Sequence, residues 1–259
     1  MFVRRLGDVT ADDNCSTVAL HGFTASGSAF GELAGLLQRP VIAPDLPGHG
    51  QSEAVADLTD ALIAVAEVLR AVEAPRMLIG YSMGGRLALN VALDHPQLVD
   101  RLVLVSTGSG IDDDTLRSAR RDSDGELADR LETMSIEDFL DEWLNNPIVA
   151  LPPSMSDARV HADRAMRSAN QPTRLAAALR SLGQGCAPPL SERLGELSMP
   201  TLLVSGAKDA KYTEAMAHMA TLIPIATHVV IEDAPHNVVA VSPAELTTAI
   251  HLWEAQLAG

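Results

Sequence analysis

Two cysteines in 259 residues, Cys15 and Cys186, are too few for a disulfide framework and carry no metal-ligand spacing, so reduced, buried thiols are expected. Lysine is equally scarce. Lys208 and Lys211 are the only two, and arginine supplies the rest of the 19 basic residues. No apolar run approaches the roughly 18 residues that a membrane span requires, which excludes membrane insertion by a helix. The segment from Met1 to Thr10 holds two arginines with no apolar stretch after them, so no secretory signal is expected. Internal repeats, low-complexity tracts and long linkers are missing as well. These absences describe a cytoplasmic protein, monomer or homodimer, long enough to bury one large core.

Positive charge is the other shortage. Against 34 acidic residues the 19 basic ones leave a net charge of −15. A general nucleic-acid binder needs a basic face to displace counterions, so no nucleic-acid partner is expected. A small anionic substrate remains compatible, because the field in a pocket is set by the groups nearest to it. Arginine grips carboxylates in a bidentate fork and keeps its charge when buried.

Short apolar runs alternate with helical patterns, the signature of a parallel sheet with crossover helices. Thr17–Leu20, Val41–Ala43, Arg76–Ile79, Leu102–Val105, Thr201–Val204 and His228–Ile231 read as strands. Leu58–Val72, Arg86–Leu93 and Ser242–Leu257 read as helices, the last with Ser242 as N-cap and Pro243 at its first position. Between Gly110 and Leu190 no strand-like run occurs. Residues 111–183 are read as a helical cap inserted into a core formed by 1–110 and 184–259. Such an insertion would sit over the carboxyl ends of the strands, where α/β sheets bind ligands.

The pattern G-x-S-x-G stands as Gly80-Tyr81-Ser82-Met83-Gly84, directly after a predicted strand and before a helix. That context is a nucleophile elbow, which presents a serine on a strained turn, and it defines an α/β-hydrolase fold with a mostly parallel central sheet. A serine hydroxyl becomes reactive when an imidazole takes its proton and an acid orients the imidazole. In chain order the acid follows a late strand and the histidine the last one. Asp209 and His236 occupy those places. The oxyanion hole needs two backbone N–H groups, which the positions of Phe23 and Met83 supply. His21, in His21-Gly22-Phe23, is read as a brace for that loop and not as the base. No metal-binding pattern and no cofactor fingerprint is present; Pro47-Gly48-His49-Gly50 is a turn, lacking the lysine of a phosphate loop.

Leu20-His21-Gly22-Phe23-Thr24, Asp45-Leu46-Pro47-Gly48-His49-Gly50 and Gly80-Tyr81-Ser82-Met83-Gly84-Gly85-Arg86 together resemble the 2-succinyl-6-hydroxy-2,4-cyclohexadiene-1-carboxylate synthases of menaquinone biosynthesis. The resemblance extends to Glu142-Trp143-Leu144-Asn145-Asn146-Pro147, to Arg167-Ser168-Ala169-Asn170 with the following Leu175–Gly183, and to Gly206–Tyr212. It implies a lyase that eliminates pyruvate from a polycarboxylate. It also implies that Arg86, Arg120 and Arg167 grip the carboxylates, with Tyr81 and Trp143 lining the pocket; Arg121 competes with Arg120 for its role. Pro235 before His236, Phe30 after the oxyanion loop, and the proline-free Ser106–Gly110 depart from the family pattern.

Arg86 carries weight on physical grounds too. A cation one turn after the serine is costly unless an anion is paired with it. The alternatives are a substrate carboxylate or an internal salt bridge. The competing functions are a serine hydrolase of esters, thioesters or a carbon–carbon bond in a small acidic substrate, and a ligand receptor that keeps the hydrolase fold. A dehalogenase is excluded, because the elbow carries serine where an aspartate nucleophile is needed.

Overall fold

Met77, Leu78 and Ile79 are wholly buried, and their alternating side chains feed two separate cores: Leu78 one face, Met77 and Ile79 the other. They belong to the central strand of a seven-stranded sheet. The computed structural model describes residues 1–7, 16–146 and 148–259, so Cys15 and Pro147 lie outside the described residues. The strands are β1 (Val3–Leu6), β2 (Ser16–Leu20), β3 (Val41–Pro44), β4 (Arg76–Tyr81), β5 (Arg101–Val105), β6 (Thr201–Gly206) and β7 (Ala226–Ile231). Their order across the sheet is β1-β3-β2-β4-β5-β6-β7. All pairs are parallel except β1 with β3, and Leu78 stands between Val18 and Leu102 in register.

Helices α1 (Gly31–Leu37) and α10 (Pro243–Ala258) cover one face, while α2 (Leu58–Arg70), α3 (Met83–Asp94) and α8 (Ala210–Leu222) cover the other. The short α9 (Val238–Val241) precedes α10. Helix α2 starts where Asp57 accepts the Asp60 N–H (3.1 Å), and it buries Ala61, Val65, Ala66 and Leu69 on one stripe. Helix α3 begins at Met83, three residues earlier than the sequence pattern suggests, because the Ser82 turn leads straight into it. Ser242 does hold the N-cap position of α10, with Pro243 first in the helix, but its hydroxyl makes no capping bond. Cys186 is partly exposed, not buried as expected; its Sγ–H donates to the Arg180 carbonyl (2.9 Å).

Among the described residues four α-helices lie between β5 and β6: α4 (Asp114–Thr133), α5 (Ile136–Trp143), α6 (Asp157–Ser168) and α7 (Pro172–Leu182). Asp113 and Ser135 cap the first two. These helices have their own apolar cluster, with Leu131, Phe139, Leu140 and Leu175 buried and Phe23 from the β2 loop packed against it. Phe23 therefore joins the helical segment to the sheet.

The sheet order sets the site. The chain passes from β2 outward to β3, then back across β2 to β4, so the loops leaving β2 and β4 diverge and open a crevice between them. Asp45, just after β3, ties this end together. Its carboxylate accepts from Arg4 (3.0 and 2.9 Å), the Gly27 amide (2.8 Å) and the Gln51 amide (2.9 Å), and it is fully buried. A Cβ at Gly50, whose φ is +51°, would stand 2.2 Å from Asp45 Oδ2. Burial alone would raise the Asp45 pKa, but Arg4 and the two amides outweigh it and hold the carboxyl below its usual range. Replacing Asp45 by alanine strands Arg4 and two amides. We expect Asp45→Ala to cost about 3–5 kcal/mol in urea unfolding, and a loss under about 1 kcal/mol would refute this role.

Candidate active site

Ser82 sits at φ 52°, ψ −112°, a backbone conformation that costs a non-glycine residue of order 1–3 kcal/mol. Its neighbours enforce it. The Ser82 N–H donates to the Val105 carbonyl (2.9 Å), its own carbonyl accepts from the Thr107 hydroxyl (2.8 Å), and the Gly84 N–H donates to the His21 carbonyl (3.1 Å). A Cβ on Gly84 would lie 2.3 Å from the Leu20 carbonyl oxygen, so only glycine permits α3 to approach β2 this closely. The strain is thus imposed by packing on both sides of the turn.

The elbow turns the Ser82 hydroxyl toward His236, whose Nε2 is 3.1 Å from Oγ. His236 Nδ1 is 2.6 Å from Asp209 Oδ2. Asp209 follows β6 and His236 follows β7, as the chain order anticipates. Both are buried, and the Tyr212 ring packs 4.6 Å from the imidazole, with Tyr81 at 5.6 Å. An imidazole oriented through Nδ1 by a carboxylate leaves Nε2 free to exchange a proton with the serine.

Phe23 and Met83 line the same cavity as Ser82 and His236. Met83 is the first residue of α3, so its N–H has no intrahelical acceptor, and the positive end of the helix dipole points to the same spot. The loop bearing Phe23 is braced by His21: its Nε2 accepts the Leu46 N–H (2.8 Å), which leaves Nδ1–H to donate to the Gly22 carbonyl (2.8 Å). Burial pushes the His21 pKa down to about 4 and that of neighbouring His49 to about 3.

The cavity has a volume of about 330 Å³. Arg86, Arg120 and Trp143 stand in its wall together with Lys211 and Asp124, neither of which the sequence reading had singled out as a site residue. Arg86 donates to the Leu182 carbonyl (3.2 Å), and among the described residues no carboxylate lies within 4.0 Å of it. Among the described residues the internal salt bridge considered for Arg86 is therefore not formed. Desolvation lowers its pKa, a cost that a bound anion would relieve. Arg120 donates to Asp124 Oδ1 (2.8 Å) and Gln184 (2.9 Å), whereas Arg121 is bound to the Gly185 carbonyl (3.1 and 3.0 Å), outside the cavity wall.

Two residues expected to contact substrate stand elsewhere. Arg167 is buried and engaged with Asp163 (2.7 and 3.1 Å) and the Thr24 hydroxyl, and it is not part of the cavity wall. Tyr81 is also buried outside the wall, its hydroxyl pKa raised by that burial. The acid four residues before Arg167, Asp163, is the signal in the sequence that this arginine is satisfied internally. Asp124 bears the same spacing to Arg120, a signal easily lost among 34 acidic residues.

A buried serine–histidine–aspartate contact at the carboxyl end of a mostly parallel sheet defines an enzyme of the α/β-hydrolase class. The family model described as "Alpha/beta hydrolase family" matches residues 18–249. The 2-succinyl-6-hydroxy-2,4-cyclohexadiene-1-carboxylate synthase of Enterobacter sp. (strain 638) is 31% identical over 238 residues, covering 90% of this chain and 89% of that relative. The synthase of the same name from Salmonella typhimurium is 31% identical over 243 residues, covering 91% and 92%. Among solved structures, MenH from S. aureus superposes with a TM-score of 0.93 at 28% identity, over 100% of this chain and 99% of that one. A thermophilic esterase from Thermogutta terrifontis, with malate bound, gives 0.76 at 26% identity over 98% and 92%. The chain belongs to the alpha/beta hydrolase family and, within it, to the 2-succinyl-6-hydroxy-2,4-cyclohexadiene-1-carboxylate synthases.

His21 yields a pH prediction. Its pKa is near 6.5 unfolded and about 4 folded, so the unfolded chain takes up the proton first on acidification. The stability that neutral His21 contributes is complete above about pH 6.5 and is lost as pH falls from there to about 4. Urea midpoints measured across this range should fall with pH in the wild type and less steeply in His21→Gln. Parallel slopes would contradict the assignment.

Proposed function

We propose that this enzyme eliminates pyruvate from a polycarboxylate cyclohexene intermediate of menaquinone biosynthesis, with Ser82, His236 and Asp209 as its catalytic residues. The observation that carries the proposal is Arg86: a cation in the wall of the Ser82 cavity with no carboxylate within 4.0 Å among the described residues. An ester or thioester pocket gains nothing from such a group, whereas a substrate bearing several carboxylates supplies the missing charge. Arg120 and Lys211 add to a positive lining in a protein whose net charge is −15.

In this reading Asp209 orients His236, and His236 accepts the Ser82 proton as Oγ removes a hydrogen from a ring carbon activated by a nearby carbonyl. The negative charge moves onto the carbonyl oxygen, which accepts from the Phe23 and Met83 amides. The electron pair then returns to form a ring double bond. The ring carbon–oxygen bond breaks, and the enolpyruvate leaves with the electron pair of that bond and becomes pyruvate on taking the proton held by His236. No acyl-enzyme is formed. Residues 111–183 act as the cap over the core, Trp143 closes the cavity from that side, and Tyr81 and Arg167 support His236 and the β2 loop from within. With no helix among the described residues long and apolar enough to cross a membrane, the enzyme fits the cytoplasm as a monomer or homodimer acting on a small anion.

A serine hydrolase of a small acidic ester is the second reading, since the same contacts activate a nucleophile and an esterase shares the fold. Pyruvate release from the enolpyruvyl precursor separates the two. Ser82→Ala should reduce release by about 10³-fold or more. Arg86→Ala should lower kcat/KM for the polycarboxylate by about 100-fold while leaving hydrolysis of an uncharged aryl ester intact. Absence of pyruvate release alongside rapid ester hydrolysis would favour the second reading.

A further inference from the structure

Two buried polar atoms in the cavity wall have no hydrogen-bond partner among the described residues: Asp124 Oδ2 and Trp143 Nε1. Asp124 is 4% exposed, and an unpaired oxygen at such a depth is costly unless something arrives to satisfy it. Its Oδ1 is taken by Arg120 Nε at 2.8 Å. Oδ2 faces Gly183, where a Cβ would come within 2.7 Å of it, so the missing side chain leaves this buried oxygen room for a partner.

The two atoms demand opposite things of a ligand. Trp143 Nε1–H needs an acceptor, which a carboxylate or carbonyl provides. Asp124 Oδ2 needs a donor, and a ligand carboxylate would only repel it. A cationic donor is disfavoured by Arg86 and Arg120 on the same wall. What remains is a neutral hydroxyl, carried next to the carboxylate that the arginines hold.

We propose that Asp124 is a specificity-determining residue that accepts a hydrogen bond from a substrate ring hydroxyl adjacent to a ring carboxylate. This rests on the proposed pyruvate elimination. The name of the relatives' product places a hydroxyl on ring carbon 6 and a carboxylate on ring carbon 1, which are neighbours in a six-membered ring. Arg120 and Asp124 are neighbours in the same sense, bonded to each other in the cavity wall. Asp124 thus has two tasks. Oδ1 orients the Arg120 fork, and Oδ2 reads the hydroxyl beside the carboxylate that Arg120 grips.

The test compares the enolpyruvyl substrate with its 6-deoxy analogue, taking the ratio of their kcat/KM values for pyruvate release. A site built to bond a hydroxyl rejects the analogue lacking it, so the wild type should prefer the hydroxylated substrate by about 100-fold or more. Asp124→Ala should bring the ratio to within about 3-fold of unity, since general damage to Arg120 affects both substrates and cancels. If the alanine variant does not fold, Asp124→Asn, which keeps an acceptor for Arg120, should still lower the ratio by about 10-fold. A ratio unchanged by substitution overturns the assignment of Asp124 while wild-type pyruvate release leaves the reaction standing. No pyruvate release by the wild type overturns both.

Discussion

The tight approach of helix α3 to strand β2 is the constraint on which the rest of the site depends. Gly84 lets the two backbones come close enough for its N–H to reach the His21 carbonyl, and that contact leaves Ser82 no relaxed conformation. The strain has three local results. It lifts the hydroxyl toward His236, places Met83, the first residue of α3, in the cavity wall, and holds the His21 carbonyl of the β2 loop that carries Phe23. His21 and Asp45 then hold this loop against the β3 loop through buried hydrogen bonds. Catalytic geometry is therefore a by-product of backbone packing at the topological switch point, which resists small perturbations because close-packed elements do not deform gradually.

Charge is distributed against the average of the molecule. The surface is strongly acidic, and exposed arginines such as Arg164, Arg180 and Arg193 are each paired with acids. Arg86 is the contrast, without a carboxylate partner among the described residues where Ser82 and His236 look out on the cavity. Arg120 is paired with Asp124, whose second carboxylate oxygen has no hydrogen-bond partner among the described residues. Arg167, which family likeness alone would place on the substrate, is instead neutralised by Asp163 and helps to anchor the β2 loop through Thr24.

Much of this was legible in the sequence because the relevant signals are local. The serine elbow, the acid after β6 and the histidine after β7 are each marked by a strand end. The inner parallel strands are short runs buried on both faces, and the edge strand β7 is partly exposed. Strand β1 escaped because its four residues alternate in exposure and include two arginines; its place depends on the distant Asp45. Helix α1 escaped because Gly31 and Gly35 weaken its pattern, and tertiary burial of Leu33, Ala34 and Leu37 decides it. Side-chain direction was the least readable feature. Arg86, Arg120, Arg121 and Arg167 look alike in one dimension, and only the fold shows that two of them reach the cavity.

The central claim is that the triad acts as a base in elimination and not as an acylated nucleophile. The most direct measurement is a single-turnover rate of pyruvate release from substrate deuterated at the ring carbon that loses its proton, with the mass of the protein followed in the same reaction. Proton abstraction by Ser82 predicts slower release from the deuterated substrate and an enzyme of unchanged mass throughout. Equal rates for the two substrates, together with a covalent adduct on Ser82, would contradict it.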